Sequence, residues 1–209
     1  MHKKNMIWGN EEPNGGVPQV GNGNNNGKSS AQVIGQNNRI YFYSDSVDSD
    51  SILELNKELK IKDSLNLARN AVVGTTELDP IVIHINSPGG FVTDGLAGMD
   101  TLRRCKSPVF TIVEGCVASA ATFLSVVGKK RMITKHSIML IHQLSSAFWG
   151  TYEEFLDEKR NLDLLMGIIK GIYKEYTKVP MDKLDEILKH DLYLDSKKCL
   201  EYGLVDEII

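Results

Sequence analysis

Val109-Phe110-Thr111-Ile112-Val113, followed after Glu114 by Gly115-Cys116-Val117-Ala118-Ser119-Ala120-Ala121, decides the fold class of this 209-residue chain. The first stretch is an apolar, β-prone run of the kind that fills a sheet covered on both faces. A glycine breaks it, and small residues follow, so the pattern predicts a strand that passes sharply into a helix. Ser119 places one hydroxyl in the first turn of that helix, where free N–H groups favour negative charge. Two readings fit the stretch alone. Ser119 is a small residue for close helix packing, or it is a nucleophile on a strand-to-helix junction with N–H donors aimed at an oxyanion.

On either side, strands alternate with helices, which predicts an α/β domain. Upstream, Ile81-Val82-Ile83-His84-Ile85 reads as a buried strand, broken by Asn86-Ser87-Pro88-Gly89-Gly90. Thr93 or Asp94 is expected to open a helix through Leu96, Met99 and Leu102. Earlier, Arg39-Ile40-Tyr41-Phe42-Tyr43 reads as a strand, and Asp48-Ser49-Asp50-Ser51 offers N-caps for a helix with Ile52, Leu55 and Leu59 on one face. Gly74 and Pro80 leave the length of that helix open.

Downstream, strands are predicted at Arg131-Met132-Ile133 and from Ser137 to Ile141. A long helix is expected from Thr151 to Tyr176, with Phe155, Leu162, Ile169 and Tyr176 at heptad-like spacing. That stripe suits a core-facing helix or one lying against a neighbouring subunit. Pro180 is expected to start a helix reaching Lys189, Asp195 to cap another that ends at Gly203, and Leu204 to Ile208 to form an edge strand. Residues 1–38, with Gly21-Asn22-Gly23-Asn24-Asn25-Asn26-Gly27, have little to bury and read as a flexible tail before a domain at 39–209.

Composition narrows the function. A net charge of −3 argues against a general nucleic-acid binder. Cys105, Cys116 and Cys199 form no Cys-x-x-Cys pair, so no disulfide framework or metal site is expected, and a reducing, cytoplasmic setting fits. No run is apolar enough to predict a membrane span or an export signal. Ser87-Pro88-Gly89-Gly90 lies at the carboxyl end of a strand, where α/β proteins place ligands. It reads either as a tight turn or as a set of N–H donors for an oxyanion or an extended peptide. No Gly-Lys-Ser/Thr follows it, so no nucleotide cofactor is expected. Among the five histidines, His142 alone combines a strand end with a polar continuation, Gln143-Leu144-Ser145-Ser146.

Four ordered motifs now share one pattern: Ile85-Asn86-Ser87-Pro88-Gly89-Gly90, Gly115-x-x-Ala118-Ser119-Ala120-Ala121, Ile138-Met139-Leu140-Ile141-His142-Gln143 and Glu201-Tyr202-Gly203-Leu204-Val205-Asp206. In this order, over about residues 39–209, the chain resembles the proteolytic subunit of Clp protease, peptidase family S14. The resemblance implies a crotonase-like α/β fold of ββα superhelix-type repeats, with a protruding handle strand and long helix. It implies a ring homo-oligomer of stacked heptamers around a closed chamber, fed with unfolded proteins by an ATP-driven AAA+ unfoldase.

Carried over by motif, the nucleophile falls on Ser119, the base on His142 and the acid on Asp191. Asp195 is the rival acid, read here as an N-cap. The oxyanion donors fall on the N–H groups of Gly90 and Ala120, and substrate contacts on Gly89, Gly90, Gln143 and Leu144. The chain departs from the family pattern in several places. Ala120 stands where methionine is usual, Leu144 where proline is usual, and Phe148-Trp149-Gly150 replaces a glycine-rich segment. Residues 1–38 hold no clear amphipathic entrance helix. Signal-peptide peptidases share two of the motifs, and phage head-maturation proteases share the fold. A lysine base at Lys129 or Lys130 would mark the signal-peptide class. A catalytically silent ring subunit is the non-enzymatic alternative.

Overall fold

The computed structural model describes residues 32–209. Its first strand, β1 (Gln32–Gln36), pairs antiparallel with β2 (Arg39–Tyr43), so regular structure begins inside the stretch that composition assigns to the tail. The rest of that stretch lies outside the described residues. The later pairings β2–β3 (Ile81–Ser87), β3–β4 (Val109–Ala118), β4–β5 (Lys130–Ile133) and β5–β8 (Glu207–Ile208) are all parallel. The inward residues Ile40, Phe42, Ile81, Ile83 and Ile85 are wholly buried. Continuous apolar strands of this kind need helical cover.

Helices α1 (Ser49–Val73), α2 (Val92–Arg104) and α3 (Ala121–Val126) supply that cover. The N-terminus of α1 is fixed by a capping box: Ser51 N donates to Asp48 Oδ1 at 2.9 Å, and Asp48 N donates to Ser51 Oγ at 3.0 Å. The helix runs on to Val73 and ends at Gly74 in the left-handed conformation. α2 begins earlier than predicted. Phe91 occupies its N-cap without any side-chain bond, because the turn before it is held by backbone pairing rather than by Thr93 or Asp94.

One feature of β4 shapes everything downstream. Residues Phe110–Val113 pair with β5, whereas Cys116–Ala118 pair with β6 (Ile138–Leu140). Gly115, with φ +68°, stands between the two segments, and a Cβ there would meet the Asn86 side chain at 2.6 Å. The strand therefore continues five residues beyond Val113, bends at Gly115, and forks the sheet.

Helix α4 (Tyr152–Tyr176) starts with a second capping box, Thr151 with Glu154, and buries only Glu158, Ile169, Ile172 and Tyr173. α5 (Met181–Ile187) is shorter than predicted, with Pro180 as its N-cap and not inside its first turn. β7 (Leu194–Asp195) pairs antiparallel with β6 and leads into α6 (Ser196–Glu201), whose N-cap is Asp195. The closing strand β8 is only two residues long. Arg131 pairs with the Asp206 carboxylate and donates to the carbonyl of Gly203 at 2.8 Å, so the Gly203-Leu204-Val205-Asp206 motif anchors the C-terminus to β5.

Candidate active site

Parallel register brings three strand ends together. Ser87 of β3 pairs with Val117 of β4, and Ala118 of β4 pairs with Leu140 of β6. One step further, Ser119 N donates to the Leu140 carbonyl at 2.8 Å, and His142 follows β6 by two residues. The antiparallel pair Met139↔Leu194 then supplies the third group. Carrying that register three residues past β7 sets Asp191 across from His142, and Asp191 Oδ1 lies 3.0 Å from His142 Nδ1. Asp195 lies elsewhere, its carboxylate accepting from Lys198 N at 2.8 Å as a helix cap.

Ser119 does not lie within the first helical turn. It precedes that turn with φ +58°, a conformation that costs a non-glycine residue on the order of 1–2 kcal/mol. Strain of this kind persists only where neighbours over-determine it, and it concentrates at functional positions. The side chain is 1% exposed, and among the described residues its Oγ has no hydrogen-bond partner. A buried hydroxyl without a partner is costly, and such groups are concentrated at strained and catalytic positions.

The glycine turn lies directly against this serine. Gly89 has φ +103°, and a Cβ there would sit 2.4 Å from Ser119 Cβ and 2.7 Å from the Ala118 carbonyl. Only glycine permits that approach. Val47 spans the turn, with Val47 N donating to Gly89 O at 2.7 Å and Phe91 N donating to Val47 O at 2.8 Å. Gly90 is thereby held rigidly beside the site. Sequence reading missed the role of Val47, which no local signal marks.

His142 is buried, whereas Asp191 is largely open to solvent. Burial pushes the imidazole pKa below its ordinary 6.5, and the Asp191 carboxylate offsets this only in part. The balance favours the neutral form of the imidazole. The backbones of Gln143 and Leu144 are tied to the neighbouring helical segments: Gln143 N donates to Leu188 O at 2.7 Å, and Leu144 N donates to Met166 Sδ at 3.2 Å. A cavity of about 320 Å³ opens next to them between α4 and α5, lined by Gln143, Met166, Lys170, Asp185, Leu188 and Lys189.

The two lysines that a lysine-base enzyme would need are at the opposite end of the sheet. Lys130 pairs with Phe110, nine residues before Ser119 along the chain, a path of up to about 30 Å when extended. Lys129 N donates to the Val109 carbonyl. Neither can act on Ser119. Of the other histidines, His84 stacks on Tyr41 and bonds Glu114 at 2.8 Å, and His190 bonds Glu186 at 3.2 Å.

Comparison with known proteins identifies the family and the fold. The family model for Clp protease matches residues 35–209. The ATP-dependent Clp protease proteolytic subunit of Deinococcus radiodurans is 32% identical over 82% of this chain and 80% of its own length. The protein of the same name from Oltmannsiellopsis viridis is 31% identical over 87% of this chain and 92% of its own length. A point mutant of ClpP1 from Listeria monocytogenes superposes with a TM-score of 0.69 at 24% identity, covering 83% of this chain and 91% of that one, which shows a shared fold. The α/β architecture is thus that of ClpP, and the chain belongs to the Clp protease family of serine peptidases.

Proposed function

We propose that the chain hydrolyses peptide bonds with Ser119 as nucleophile, His142 as general base and then general acid, and Asp191 as the group that orients His142. Asp191 fixes the imidazole tautomer by accepting from Nδ1–H, which leaves Nε2 to take the Ser119 proton. Attack on the scissile carbonyl gives a tetrahedral oxyanion, for which the backbone N–H groups of Gly90 and Ala120 are the donors. His142 then passes its proton to the leaving amine, and water repeats the cycle on the acyl-enzyme. The observation that carries this reading is a strained, buried Ser119 whose N–H pairs with the last residue of β6, the strand that leads two residues on into the His142–Asp191 pair. Gly89 and Gly90 would hold an extended substrate by main-chain bonds, and the cavity beside Gln143 and Leu144 would receive a side chain.

The wider assembly follows from the relatives and from α4. Tyr152 is 73% exposed and Phe155 55% exposed on the amino-terminal half of that helix, next to a fully exposed Trp149. Apolar surface of this extent on a helix end calls for cover by another subunit. The chain would therefore form a homo-oligomeric ring enclosing the sites, supplied with unfolded protein by an ATP-driven unfoldase. Its three cysteines are free thiols, in keeping with a reducing, cytoplasmic setting.

A second reading, a subunit whose triad is unaligned at rest, draws on the missing partner of Ser119 Oγ. Peptidase assays of the unsubstituted protein and Ser119→Ala test the first reading. Loss of activity on substitution supports it, and full activity in Ser119→Ala overturns it. Activity that rises with assembly or with an unfoldase favours alignment on demand.

A further inference from the structure

The backbone around Ser119 is held by two buried side chains that no step above uses. The Ser119 carbonyl accepts twice from the same residue: from Thr122 N at 2.9 Å and from Thr122 Oγ1 at 2.6 Å. Thr122 Oγ1 also lies 2.7 Å from the hydroxyl of Tyr173 on α4. A carbonyl only accepts, so the single Thr122 hydroxyl proton goes to Ser119 O, and the Tyr173 hydroxyl proton must go to Thr122 Oγ1. Both side chains are wholly buried, and burial drives the Tyr173 pKa upward, so the phenol stays a neutral donor. Its ring is packed beside Phe123, with centroids 6.2 Å apart.

The carbonyl of Ser119 and the N–H of Ala120 are the two ends of one trans peptide group, so fixing one end aims the other. Two donors on the oxygen hold the plane and pull electron density toward the carbonyl. That strengthens the N–H on the opposite side as a donor, as along any chain of hydrogen bonds in a medium of low dielectric. We infer that Thr122 and Tyr173 form a buried relay that orients and polarises the Ser119–Ala120 peptide, making them positioning residues for the oxyanion donor at Ala120. This rests on the reading of Ser119 as nucleophile. It also gives α4 a direct mechanical link to the site, because Tyr173 is carried on the buried end of that long helix.

The test uses full-length Tyr173→Phe, Thr122→Ser and Thr122→Val. The readouts are kcat and KM on a short fluorogenic peptide, the rate of fluorophosphonate labelling at Ser119, and the pH profile. Tyr173→Phe keeps the ring and removes one hydrogen bond, so kcat and labelling should fall about fivefold, with KM and the acid limb of the profile unchanged. Thr122→Val should fall about tenfold or more, Thr122→Ser should stay near the unsubstituted rate, and adding Tyr173→Phe to Thr122→Val should change nothing further. Should Thr122→Val fail to fold, the contrast between Tyr173→Phe and Thr122→Ser decides alone. Variants that melt earlier but label at the unsubstituted rate would show a purely structural pair and overturn the relay. Absence of Ser119 labelling in the unsubstituted protein would instead remove the nucleophile assignment, and the relay with it.

Discussion

The two ends of the sheet solve opposite problems. At the amino end, Asn66 of α1 ties together the segments that enter β2, β3 and β4. It accepts from Asn38 Nδ2 at 3.1 Å and donates to the Asp79 carbonyl at 3.0 Å and to Ser107 Oγ at 3.1 Å. One turn earlier on the same helix, the Asp63 carboxylate accepts from the N–H groups of Lys106 and Ser107 at 3.0 and 2.7 Å. The buried members of this network, Asn66 and Ser107, are thus satisfied, as stability requires. At the carboxyl end, Ser119 holds a left-handed backbone, Gly89 approaches it within contact distance, and among the described residues the Ser119 hydroxyl has no hydrogen-bond partner. The difference separates the end that holds the fold from the end kept for chemistry.

Substitutions at the two ends should therefore fail in different ways. The largest effect belongs to Ser119→Ala, which should remove peptidase activity by at least about 10³-fold. Its melting temperature should be unchanged or slightly raised, because an unpaired buried hydroxyl disappears. A large loss of stability there would break the comparison.

Asp191→Asn comes next, with a fall in kcat of about 10²- to 10⁴-fold. It also sharpens the electrostatics. Protonated His142 cannot act as a base, so activity falls as pH drops through its pKa, which burial sets below 6.5. Asp191 works to raise that pKa, and its removal should move the acid limb to still lower pH. A limb that moves upward would show that the carboxylate does not face the imidazole in solution.

At the other end, Asn66→Ala should leave kcat and KM intact while costing about 2 kcal/mol, since three hydrogen bonds of a buried side chain are lost, one of them to the buried Ser107. For a chain of this size that is roughly 6 °C in melting temperature. The smallest effect is expected from Asp63→Asn. Burial works to raise the Asp63 pKa, but the two backbone donors outweigh it, so the folded value lies below 3.8. A carboxylate depressed on folding stabilises above its unfolded pKa, and that contribution is lost as pH falls through the folded one. Asp63→Asn should therefore flatten the decline in stability below about pH 4 and leave activity at neutral pH untouched. Acid titration followed by circular dichroism reads this directly.

What could be read from sequence divides along the same line. The motifs around Gly89, Ser119 and His142 were legible because each joins a run of β-prone residues to a turn, a local signal. Asp191 was legible only through resemblance, since its meeting with His142 depends on the two-residue strand β7, too short to leave a pattern. The fork in β4 leaves no such signal, because the apolar run ends at Val113 and Gly115 marks only the bend. The Val47 bridge and the Thr122–Tyr173 pair arise from contacts between residues more than forty positions apart, and neither periodicity nor composition reports those. The predicted stripe on α4 divides: Ile169 lies in the core of the single chain and Tyr176 packs against it, whereas Phe155 is exposed. Heptad spacing shows that a helix has an apolar face, not what covers it.

The central claim is that Ser119 is a nucleophile activated by His142. Its most direct test is fluorophosphonate labelling followed by peptide mapping on the unsubstituted protein and on His142→Ala. The account predicts a single modification at Ser119 that disappears when His142 is removed. Labelling at another residue, or labelling of Ser119 that persists at full rate in His142→Ala, would contradict it.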